Sequence, residues 1–123
     1  MNYNEKEDFS QFGKSFQENL CQLVLLDRAF ADQMVEILDI NFLELNYLQV
    51  FVKRIFDYKI KYKMHPSVEI MTTILRADIS EENILIQKQV RDFFARMIKT
   101  SVQDIAYIQD TAVDFCKKQI LKE

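Results

Sequence analysis

Large apolar residues recur every three or four positions along most of this chain, the period of one face of an α-helix. Phe16, Leu20, Leu23 and Val24 form the first such stripe. Ser15-Phe16-Gln17-Glu18 reads as a capping box that opens this helix, with Ser and Glu reciprocally satisfying free backbone N–H groups. Asp27 ends it and can cap a second helix over 28–38, whose stripe is Phe30, Met34, Ile37 and Leu38. Residues 39–42 form a connector whose Ile40 and Phe42 are expected to plug into the core. A third helix over 44–62 buries Leu48, Phe51, Val52, Ile55 and Phe56, and carries Lys53, Arg54, Lys59, Lys61 and Lys63 mainly on its other faces. Pro66 breaks the chain, and Ser67 caps a short fourth helix with Val68, Met71, Ile74 and Leu75.

Ser80 reads as the N-cap of a fifth helix reaching Lys99, with Glu81 and Glu82 placed where the helix dipole favours negative charge. Ile86, Val90, Phe93 and Met97 form one row of it, and Phe94 and Ile98 a neighbouring row. After a further capping signal at Ser101–Asp104, a sixth helix carries Ile105, Ile108, Ala112 and Phe115. The short connection implies that helices five and six are antiparallel neighbours. The expected fold is therefore all-α, with a flexible N-terminal lead-in over 1–13, a four-helix globular head over 14–78 and a C-terminal antiparallel helical hairpin over 80–123.

Composition supports the helical reading. One Gly and one Pro in 123 residues are too few for the hairpins and corners of a β architecture. The net charge of −3 is not the strong positive balance of a dedicated nucleic-acid binder. Cys21 and Cys116 lie in apolar helical stretches outside any C-x-x-C pair, which suits buried hydrophobes in a reduced, cytoplasmic protein. The polar, acidic start is not a signal peptide, and no stretch approaches the ~20 apolar residues of a membrane span.

Candidate chemistry is sparse. Gly13-Lys14-Ser15 resembles the tail of a phosphate-binding loop, but Asp8 stands where that loop needs its first Gly, and its carboxylate would repel phosphate. A turn leading to a Ser N-cap accounts for these residues. His65 is the sole histidine and has no neighbouring Cys or calcium-loop pattern, so a polar loop residue before Pro66 is the expected role. No catalytic group, metal or cofactor is expected. The basic segment from Lys53 to Lys63, interleaved with Phe56, Tyr58 and Tyr62, reads either as a solvated helix face or as a nucleic-acid or partner contact through Lys53, Arg54, Lys59, Lys61 and Lys63. Val90, Phe93, Phe94, Met97, Ile105 and Ile108 offer more apolar surface than a two-helix hairpin hides within itself. They either pack on the head or form a self-association surface.

The run from Phe16 to Asp27, followed by Val35 to Leu43, resembles the start of DnaB-type replicative helicases. Val52 to Phe56, His65-Pro66-Ser67 and Ile74-Leu75-Arg76 are similar to that family's third helix, Pro-containing turn and fourth helix. Tyr107-Ile108 with Ala112, Lys117 and Lys118 resembles the last helix before its interdomain linker. The likeness spans residues 15–123 by order and spacing, and looks nearest to the helicases of T-even-like phages. Met64-His65 stands where the family often has a Gly, and Leu48-Gln49 where it often has His-Arg.

The resemblance implies a non-catalytic N-terminal collar domain. It would assemble as a homo-oligomer (a dimer, or a hexamer in the full-length protein) and dock primase or a helicase loader. DNA would be met weakly or through the full-length protein, and ATP hydrolysis would belong to a downstream RecA-like domain absent from this sequence. The final helix has no stop signal, which suits a chain that continues. The alternative is a stand-alone single-stranded-DNA-binding or helicase-loading accessory protein. On the collar reading, replacing Phe94 and Ile108 with Asp is expected to lower oligomer size in sedimentation without unfolding the head.

Overall fold

The computed structural model describes residues 7–122. Among these, six α-helices and no strand are present: α1 (Gly13–Leu26), α2 (Arg28–Ile37), α3 (Asn46–Tyr62), α4 (Val68–Ala77), α5 (Ile84–Met97) and α6 (Ile105–Leu121). Short 3-10 turns occupy Phe9–Phe12 and Ile40–Phe42. The all-α class is thus as the apolar period implied.

α1 is the central element. It packs against α2, α3, α6 and the first 3-10 turn, and every residue from Leu20 to Leu25 is buried. Such all-round burial marks a core helix rather than a surface one. The connections are held by capping. Asp27 accepts from the Phe30 amide at 3.1 Å and Ser67 from the Ile70 amide at 3.1 Å, as expected. Phe42 enters the core, while Ile40 is half-buried.

Several details differ from expectation. Residues 1–6 of the expected lead-in lie outside the described residues. From Phe9 onward the segment is part of the core: Phe9 is fully buried, its ring 4.7 Å from that of Phe115 and near Phe12, Phe16 and Phe42. Phe9 and Phe12 continue the spacing of Phe16 and Leu20 toward the N-terminus, a signal that the reading of a polar, acidic lead-in passed over. α1 begins at Gly13 without a side-chain cap, so Ser15 lies inside the helix and the capping box does not form. Asn83, not Ser80, caps α5, accepting from the Ile86 amide at 2.8 Å. Asp104 precedes α6 in a left-handed conformation and gives no side-chain cap.

α5 and α6 do not form a close antiparallel pair. α5 lies on α3 and α4, whereas α6 lies on α1 and α2. Their connection spans 98–104, longer than the short turn that spacing suggested, which lets the two helices reach different parts of the head. Each apolar stripe then finds its own partner: Phe93 meets Phe51 edge-on at 5.1 Å, and Phe115 meets Phe9 and Phe42.

Because Phe9 fills the space between the first turn and α6, Phe9→Ala is expected to cost about 3–5 kcal/mol in chemical denaturation. A freely solvated lead-in would show no change.

Candidate interaction site

The polar residues of α1 fasten the rest of the molecule. Gln17 accepts from the Glu44 amide at 2.9 Å and donates to the Glu44 carboxylate at 3.2 Å. Gln22 donates to the carbonyls of Met97 at 3.1 Å and Thr100 at 2.7 Å, satisfying the end of α5. Glu18 takes two bonds from the Arg96 guanidinium, at 3.0 and 2.9 Å, and one from the Tyr47 hydroxyl at 2.7 Å. The Arg96 pairing, with help from Tyr47, holds the Glu18 carboxyl below its ordinary range. Burial raises the Tyr47 hydroxyl, and its bond to Glu18 adds to that.

His65 belongs to this framework as well. Lys59 Nζ donates to His65 Nδ1 at 3.3 Å, so Nε2–H donates to the Leu25 carbonyl at 2.5 Å. The ring thereby stitches the turn after α3 to the end of α1. Burial pushes the Cys116 thiol up to about 12 and the Cys21 thiol well above its ordinary value, so neither is a thiolate nucleophile near neutral pH. Among the described residues no three His, Cys, Asp or Glu side chains converge as metal ligands. No helix there is long and apolar enough to cross a membrane.

The residues expected to mediate self-association divide sharply. Val90, Phe93, Phe94, Met97 and Ile108 are all buried in the chain's own core, and only Ile105, 45 % exposed, faces outward. The five therefore act as packing residues in the folded monomer, because α3 and α1 cover the stripes that a free hairpin would have left open. The outward apolar residues of this region are instead Ile98, Ile105 and Tyr107, with Leu26 from the end of α1. Leu23, Leu26, Val102 and Ile105 line a groove of about 780 Å³ beside the start of α2. Off-stripe residues at helix ends are not singled out by periodicity, and Leu26 directly before the Asp27 cap was the one available hint.

The basic residues of α3 are mostly committed. Lys53 pairs with Asp57 at 2.7 Å, Arg54 with Glu81, and Lys59 with Asp32. Lys61 lies 5.3 Å from the Tyr62 ring centroid, and Lys63 closes α3 in a left-handed conformation. Neither forms an ion pair among the described residues. Tyr58 and Tyr62 lean on each other at 4.7 Å. Comparison with protein-family models, curated proteins and solved structures finds no match.

Three outcomes follow from this geometry. Phe94→Asp should unfold the domain, seen as loss of the cooperative melting transition, because it places a charge in the α3–α5 core. Glu18 is stabilising in its ionised form: the contribution is complete above its unfolded value near 4.3 and is lost as pH falls through the lower folded value. Glu18→Gln should therefore cost about 1–2 kcal/mol at pH 7, and should flatten the decline of stability below about pH 5 in denaturant titrations. With two uncommitted lysines on α3, any single-stranded-DNA binding should show a log–log salt slope no steeper than about −1.4, and Lys61→Ala with Lys63→Ala should abolish it.

Proposed function

We propose that this domain is a non-catalytic collar of a DnaB-type replicative helicase, acting by contact with other subunits and with primase or a loader. The observation that carries the proposal is the ordered resemblance over residues 15–123, from the Phe16–Asp27 helix through His65-Pro66-Ser67 to Tyr107-Ile108. The all-helical architecture supports it, since this order of helices and turns is what the resemblance implies. On this reading α1–α4 are the head. α5, the 98–104 connection and α6 are the counterpart of the family's hairpin, laid on the head instead of standing off it.

The surface available for contact is accordingly narrower than a free hairpin would offer. Ile98, Ile105 and Tyr107 around the α5–α6 connection are its carriers, because they are the outward apolar side chains of that region. The buried, high-pKa thiols and the hydrogen-bonded His65 leave the main nucleophile and base candidates occupied, which favours a contact role over chemistry. Ring assembly, a cytoplasmic setting and the docking of primase belong to the same proposal. The accessory single-stranded-DNA reading is less well supported, because three of its five cations are already paired.

Sedimentation equilibrium of the chain, with a binding titration against the primase encoded in the same genome, tests the proposal. The expected result is concentration-dependent self-association together with primase binding that weakens about tenfold in an Ile98→Asp, Tyr107→Asp variant of unchanged melting temperature. A chain that stays monomeric at high concentration and ignores primase would refute it.

A further inference from the structure

Polar side chains tie the six helices to one another. Glu18 bonds to Tyr47 of α3 and Arg96 of α5, Lys59 of α3 to Asp32 of α2, Gln109 of α6 to Asp27, and Arg91 of α5 to the end of α4. Residues 7–12 lack such a tie. Among the described residues, their one hydrogen bond to anything beyond their own turn and α1 comes from Lys122 to Glu7, an exposed ion pair at 3.1 Å. What holds this strap is the fully buried Phe9 ring, 4.7 Å from Phe115, 6.0 Å from Phe16 and 6.3 Å from Phe42.

The strap joins α1 at Gly13, the single glycine of the chain. Gly13 has φ 87° and ψ 171°, a conformation essentially confined to glycine. Nothing stands within 4 Å of where a Cβ would lie, so no packing locks the joint. Apolar burial is non-directional, and an identical segment from a second copy satisfies the same pocket. Exchange re-forms each contact it breaks, which makes it a low-cost route to a dimer. Lys14 and Ser15 are exposed, so the start of α1 is open to a second chain. Four extended residues carry Phe9 about 13 Å from Gly13.

We propose that residues 7–12 form a detachable strap that two copies of this chain exchange. The strap swings about Gly13, and Phe9 of each copy fills the pocket between Phe16, Phe42 and Phe115 of the other. The inference goes beyond the collar reading and does not depend on it.

The Glu7–Lys122 pair reports the exchange in the unmodified chain. Light and isotopically heavy chains are mixed at high concentration, equilibrated with mild warming and treated with a carbodiimide, which links an amine to a carboxylate in contact. Monomer and dimer are then separated and their linked peptides identified by mass spectrometry. The monomer should carry only same-isotope Glu7–Lys122 links, and the dimer should carry links between a light and a heavy chain. Gly13→Ala strains the closed joint and leaves an open one free to take negative φ, so it should raise the share of dimer about tenfold. Phe9→Ala should abolish the mixed links.

A dimer whose Glu7–Lys122 links are all same-isotope would overturn the proposal. So would the absence of any dimer from wild type and Gly13→Ala alike. Mixed links that persist in the Ile98→Asp, Tyr107→Asp variant of a chain that ignores primase keep the strap and remove the collar. Primase binding and self-association without a mixed link remove the strap alone.

Discussion

Where a helix is buried on all sides, as α1 is from Leu20 to Leu25, its polar side chains must be satisfied within the protein. Gln17 and Gln22 are buried on α1 and Glu18 partly so, and leaving a buried amide of the two glutamines unpaired would cost about 1–3 kcal/mol. Each is paired with a different part of the chain: the segment before α3, the Arg96 and Tyr47 groups of α5 and α3, and the end of α5. The apolar residues between them supply most of the driving force, but hydrophobic burial is non-directional and tolerates alternative packings. The hydrogen bonds do not. They set where α3 and α5 stop along α1, and so where the 98–104 connection emerges.

The same logic extends outward from α1. Asp27 closes the joint between α1 and α2 and takes a bond from Gln109 on α6 at 2.9 Å. His65 returns the turn after α3 to the Leu25 carbonyl. Arg91 on α5 donates to the carbonyls of Leu75, at 2.8 Å, and Arg76, at 3.2 Å, closing the end of α4. Helix ends that would otherwise expose orphan carbonyls are thus tied to side chains distant in sequence. Gln119 is the exception among the buried amides, since its Oε1 finds no donor among the described residues.

This framework decides which surfaces remain for function. By drawing α5 onto α3 and α6 onto α1 and α2, it buries the inner stripes of both helices and leaves apolar residues outward around their connection, at the start of α5 (Ile84 and Leu85) and at the end of α6 (Ile120 and Leu121). It also consumes cations: the pairs formed by Lys53, Arg54 and Lys59 with Asp57, Glu81 and Asp32 leave α3 with little net charge to offer a phosphate backbone. Beside the α5–α6 connection it leaves open a groove lined by Leu23, Leu26, Val102 and Ile105.

The helical class, the order of the six helices and the caps at Asp27 and Ser67 were legible from residue order alone, because they depend on local period and on side chains reaching backbone two or three residues away. The core stripes were legible for the same reason: Phe51, Val52 and Ile55 recur at the helical period and are buried. Local rules failed where a residue had two possible partners. Glu18 could cap its own helix or meet Arg96 far along the chain, and the bidentate pairing with Arg96 prevailed. Phe9 stands at helical spacing from Phe12 and Phe16, but only its three-dimensional neighbours, Phe115 above all, show how completely it is buried. Whether the stripes on α5 and α6 would face each other, another subunit or the head was likewise beyond local pattern. Periodicity tells which face of a helix avoids water, whereas only the folded chain decides what covers that face, because burial has a magnitude but no address.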